Sequence, residues 1–115
     1  MAAPADARRG TALSAQAVQE AFVALSADAW RLQAPLTFVT VSALRAPGMA
    51  LIDTAAAQLS FDLQDVNRVD SAGLALLIDW LARAAARSCR LSYARPPEAL
   101  LSLARLSDVL RLIVP

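Results

Sequence analysis

Apolar and polar positions alternate most cleanly in QLSFDLQDV. There Leu59, Phe61 and Leu63 fall on one side of an extended chain, and Ser60, Asp62 and Gln64 fall on the other. The pattern predicts a half-buried strand. A different period takes over beyond the polar loop Gln64 to Asp70. From Ala72 to Arg87, the residues Leu74, Leu77, Ile78, Leu81 and Ala85 recur at helical spacing, which predicts an amphipathic helix. The side of that helix away from the stripe carries Ala72, Leu76, Asp79, Trp80 and Arg83, with Leu76 and Trp80 one turn apart.

The flanking segments are less regular. In EAFVALSADAWRLQAP, Phe22, Val23 and Leu25, then Trp30 and Leu32, surround a polar centre at Ser26 to Asp28. Two short strands joined by a turn are expected there, with helix as the rival because of the alanines. Pro35 ends the second strand, since it has no N–H for a ladder. In LTFVTVSALRAPGMALIDTAAA the β-branched run favours a strand, whereas Phe38, Val41 and Leu44 keep helical spacing and Thr37 can cap. A helix from about residue 38, kinked or ended near Pro47, is the expectation. RLSYA reads as a strand, Pro96 and Pro97 start a helix that runs through Arg105, and LRLIV reads as a final strand. Residues 1–16 read as a flexible tail and 17–115 as the folded domain. Strands alternating with helices predict an α/β layer fold.

The chain has 115 residues, enough for one two-layer core, and 57% of them are hydrophobic, which excludes a disordered polymer. Leu32 to Leu44 is the longest uncharged stretch, and Pro35 breaks it well short of the roughly 20 residues that a bilayer span needs. No apolar run of signal-peptide type follows Arg8 and Arg9, so a soluble cytoplasmic protein without direct membrane insertion is expected.

The sequence contains no histidine. That removes Ser-His-Asp and Cys-His catalysis and the common zinc, copper and haem ligand sets. The acidic residues are dispersed, with Asp62 and Asp65 the closest pair, so neither a metal site nor a cofactor is expected. Cys89 is the single cysteine and reads as a small buried hydrophobe. Eleven arginines against ten acids leave a formal charge of +1, and the arginines form no stripe, so nucleic acid is not an expected partner.

The remaining signal is local. In RVDSAGLALLIDWLARAAAR a polar knot opens an apolar helix, where unpaired N–H groups and the positive dipole end are found. Ser71 stands where a hydroxyl can cap the helix, and Gly73 removes a side chain close by; both also read as an ordinary cap with an incidental glycine. The series Asp70, Ser71, Ala72, Gly73, Leu74 after a strand and a polar loop resembles the signature of the STAS domain, the fold of anti-sigma-factor antagonists. SFDLQDVNRVDSAGLALLIDWLARA is similar, more narrowly, to the MlaB-type STAS proteins of the Mla phospholipid-transport system, and LLSLARLSDVL suits the family's last helix. The likeness is strong over 59–110 and only outlined before that.

The resemblance implies a central mixed β-sheet of four to five strands with helices packed mainly on one face. It implies a non-enzymatic, protein-binding regulatory subunit. The implied partner is the ATPase of an Mla-type ABC transporter, met in the cytoplasm at the inner membrane. The alternative is an anti-sigma-factor antagonist that meets an anti-sigma factor kinase. By position, Ser71 matches the family's phosphorylatable residue, Asp70 the acid before it, and Gly73 the glycine. Arg68, Asp70, Ser71, Ala72, Gly73, Leu76 and Trp80 are the expected partner-binding residues. Trp80 reads either as a core-margin residue or as a docking anchor, because aromatic residues concentrate in interface hot spots.

Overall fold

In the computed structural model, which describes residues 13–115, the two apolar runs before Pro35 form β1 (Phe22–Ser26) and β2 (Ala29–Leu32). They pair antiparallel through a tight turn, with a register shift between Ala24 and Ser26. β2 then pairs in parallel with β3 (Gln58–Asp62), and β3 in parallel with β4 (Arg90–Ala94), giving one mixed four-stranded sheet in chain order. The helices are α1 (Ala15–Ala21), α2 (Val41–Thr54), α3 (Ser71–Ala86), α4 (Glu98–Leu106) and the single turn α5 (Leu110–Ile113).

Paired strand residues point to the same side of a sheet. Phe22, Leu32, Leu59, Phe61, Leu91 and Tyr93 therefore share one face, and all of them are buried. The opposite face carries Val23, Arg31, Gln58, Ser60, Arg90 and Ser92 and bears no helix-facing core. The alternation read at Leu59 and Phe61 is thus kept, with one exception. Asp62, expected to face solvent, is 4% exposed. It is covered by arginines from both sides: Arg31 Nε donates to it at 3.2 Å, Arg95 donates through Nε and Nη2, and the Gln64 N–H adds a bond of 3.0 Å. Hydrogen bonds from Arg95 foremost, against the opposing effect of burial, hold the Asp62 carboxyl down at about 2.

Several boundaries move. LRLIV is not a strand: the turn through Asp108, at φ 59°, folds it back as α5 and seats Ile113, 1% exposed, in the core. Two apolar alternations are too few to separate a strand from a helical turn. The helix expected from residue 38 begins at Val41. The Thr40 hydroxyl accepts from the Thr37 N–H and donates to the Pro35 carbonyl at 2.6 Å, which holds 37–40 as a turn. Pro47 lies within α2 without ending it. Of the expected tail, residues 1–12 lie outside the described residues, while Ser14 caps α1 by accepting from the Ala17 N–H at 3.1 Å.

α3 buries more than its predicted stripe. Gly73, Leu74, Leu76, Leu77, Trp80 and Ala84 are buried, while Ala85 is exposed. The reason is position: α3 lies between α2 and α4 over the sheet, so contacts reach it from more than one side. Trp80 is fully buried. Its ring meets Phe22 and Phe61 edge-on at 6.1 and 5.4 Å, and its Nε1–H donates to the Arg45 carbonyl at 3.2 Å. Gly48 lets it in, because a Cβ there would stand 2.2 Å from the indole ring.

Candidate functional site at the mouth of helix α3

The knot at the mouth of α3 is organised by Asp70 rather than by Ser71. Asp70 is the N-cap, in extended backbone, and its Oδ1 accepts from the Gly73 N–H at 3.0 Å. An aspartate one residue earlier competes for the cap, and the carboxylate wins because it adds a charge at the positive end of the helix. Its second oxygen, Oδ2, accepts from the Phe38 N–H at 3.0 Å. One side chain therefore ties α3 to the turn that leads into α2. Burial raises the Asp70 carboxyl, but the N–H groups of Phe38, Gly73 and Ala72 outweigh it and hold the group below its ordinary value.

The backbone repeats the tie. The Leu36 N–H donates to the Arg68 carbonyl at 2.8 Å and the Asp70 N–H to the Leu36 carbonyl at 3.1 Å, so 36 and 69 form a short parallel bridge. Gly73 faces this bridge directly. A Cβ on it would lie 2.0 Å from the Leu36 carbonyl oxygen, so the glycine is a requirement of the fold and not incidental.

Released from capping, Ser71 is the first residue of α3 and is exposed. Arg68 is exposed as well, and Ala72 is half-buried. Beside them lies an open groove of about 300 Å³ between α2 and α3, lined by Val41, Ser42 and Arg45 on one bank and by Ala72, Ala75, Leu76 and Asp79 on the other. Arg45 and Asp79 pair across it at 2.8 Å. Phe38, three residues before the groove's Val41 and bonded through its N–H to Asp70, is 76% exposed. Sequence reasoning counted Phe38 into the apolar stripe of α2; its place on a turn before the helix leaves the ring in solvent.

The expected partner-binding set therefore divides. Arg68, Asp70, Ser71 and Ala72 come together at the helix mouth. Gly73 and Leu76 lie beneath the same surface, 5% of Leu76 remaining exposed as part of the groove wall. Trp80 does not belong to the surface. It is core, the other of the two readings that the sequence left open, because α2 covers it through Gly48.

The sequence matches the family described as "Mlab, STAS domain" over residues 23–115. The fold is similar to the Bacillus anti-sigma factor antagonist SpoIIAA. Its unphosphorylated form superposes with a TM-score of 0.64 at 17% identity, over 81% of this chain and 84% of that one. The phosphorylated form of the same Bacillus cell fate determinant superposes with a TM-score of 0.60 at 17% identity, over 81% and 86%. No curated protein matches the sequence. The family match covers most of the chain, and the chain belongs to that family: it is an Mlab-type STAS domain, built on the fold of the anti-sigma-factor antagonists.

Proposed function

We propose that this domain is a non-enzymatic docking subunit, and that it binds and supports the ATPase of an Mla-type phospholipid ABC transporter at the cytoplasmic side of the inner membrane. The observation that carries the reading is the continuity of the surface at the mouth of α3. A free serine hydroxyl, an apolar groove and an exposed aromatic ring adjoin there, held together by one carboxylate. Family membership supports the choice of partner. Among the described residues no helix is long and apolar enough to cross a membrane, so attachment through a partner suits the domain. The experiment is a pull-down with the purified ATPase subunit. Ser71→Glu should weaken capture, because the added charge must be desolvated beside Asp70. Phe38→Ala should weaken it by about 2 kcal/mol or more if the ring is an anchor. Both variants should melt like the parent, since both side chains are exposed. Unaltered capture by both would remove this face from the function.

A second reading is favoured by the exposure of Ser71 itself. An anti-sigma-factor antagonist switched at this serine would gain about −1.5 to −2 charges at the helix mouth on phosphorylation. Incubation with a kinase-like anti-sigma factor would then transfer phosphate to the parent chain and none to Ser71→Ala. Capture of the ATPase without such transfer would reject this reading.

A further inference from the structure

We infer that a second copy of this chain covers the same face when no other partner does. The patch is self-complementary. Its knob is the Phe38 ring, 76% exposed. Its hollow is the groove of about 300 Å³, where the small side chains of Ala72 and Ala75 leave room for a ring. Arg45 and Asp79 stand on opposite banks with 58% and 43% of their side chains exposed. α2 and α3 run in the same direction, because Arg45 meets Asp79 and, further along both helices, Asp53 meets Arg83.

A two-fold axis laid along the groove places α2 of one copy over α3 of the other. Phe38 then enters the opposite hollow beside Ala72 and Ala75. Each Arg45 at the same time faces the Asp79 of the second copy, so four charges alternate in sign and no like charges meet. An axis laid across the groove instead sets α2 against α2 and denies Phe38 the small residues of α3. The arrangement is isologous and closes at two copies. One ring and a few small side chains make a contact below about 1,200 Å², so the dimer is weak and concentration-dependent. The dimer itself needs no other partner. Its consequence, that self-association competes with docking, rests on the function proposed above.

Sedimentation velocity on the full chain, in a concentration series reaching about 1 mM, tests the inference. The mean mass should rise from 12.2 kDa toward twice that value. Phe38→Ser, Arg45→Glu and Asp79→Arg should each weaken association at least tenfold while keeping the parent's circular dichroism. Mixing Arg45→Glu with Asp79→Arg should restore it, because each introduced charge then faces its opposite on the other copy. A parent that stays monomeric throughout overturns the dimer, and so does a charge variant that associates alone as well as the parent. A mixture no heavier than its components rejects it too. None of these results touches capture of the ATPase, which is scored in a separate experiment.

Discussion

Gly73→Ala reverses an ordinary expectation. Inside a helix, alanine is favoured over glycine by roughly 1 kcal/mol, so an incidental glycine at this position would give a more stable variant. The structure requires the opposite sign. The new Cβ would stand 2.0 Å from the Leu36 carbonyl oxygen, about 1.5 Å inside a normal contact. The obstacle is backbone, and it is held at both ends by the bonds from Leu36 to Arg68 and from Asp70 to Leu36. Leu36 is fully buried, so the segment cannot swing into solvent. Separation must strain or break bonds worth about 1 kcal/mol each and repack the helix mouth at a cost of about 1–3 kcal/mol. After the propensity gain, a net loss of about 2–4 kcal/mol remains, or a fall in Tm of roughly 10 °C for a domain of this size. Thermal melts followed by circular dichroism, with urea titration as a check, measure it. A variant as stable as the parent, or more so, would refute the close approach between α3 and the 36–38 segment.

Other changes follow from the same packing. Trp80→Ala should lower stability by about 3–5 kcal/mol, since it empties a fully buried site against Phe22 and Phe61; a Tm within a degree or two of the parent's would place the ring outside the core. Gly48→Ala should also destabilise despite better helix propensity, because its Cβ would collide with the indole; unchanged melting and tryptophan fluorescence would contradict this. Asp62 has its carboxyl depressed from 3.8 to about 2 in the folded chain, so its contribution is complete above about pH 4 and is lost as pH falls toward 2. In Asp62→Asn the stability lost by acidifying across that window should be smaller than in the parent, and identical acid-unfolding slopes would exclude the clasp.

The sheet was legible because β1, β2, β3 and β4 each carry their own local signal, either alternation or a turn at a polar centre. Phe61 and Leu91 needed no knowledge of their neighbours. What failed depended on neighbours. Trp80 sits on the polar-looking side of α3, and nothing in its own helix foretells that Gly48, more than thirty residues earlier, opens a space for it. Ser71 was the natural cap by residue type, but the carboxylate of Asp70 takes the place and also reaches the Phe38 N–H, a contact that no local pattern announces. Phe38 was misread for the same reason: its period with Val41 and Leu44 is real, but the Thr40 hydrogen bonds stop the helix before reaching it. Asp62 looked solvated until two arginines, distant in sequence, closed over it. Among the site residues the motif itself was plain in the sequence; the groove beside it arises only when α2 and α3 meet.

The sheet order has a consequence for synthesis. Because each strand lies beside the one made just before it, the sheet can grow at a single edge as the chain leaves the ribosome, with no strand waiting to be inserted between two others. The hairpin of β1 and β2 emerges first, and β3 and β4 each extend it after one helix. The core is completed later than the sheet, since Ile113 on α5, which follows β4 and α4 in the chain, is buried in it.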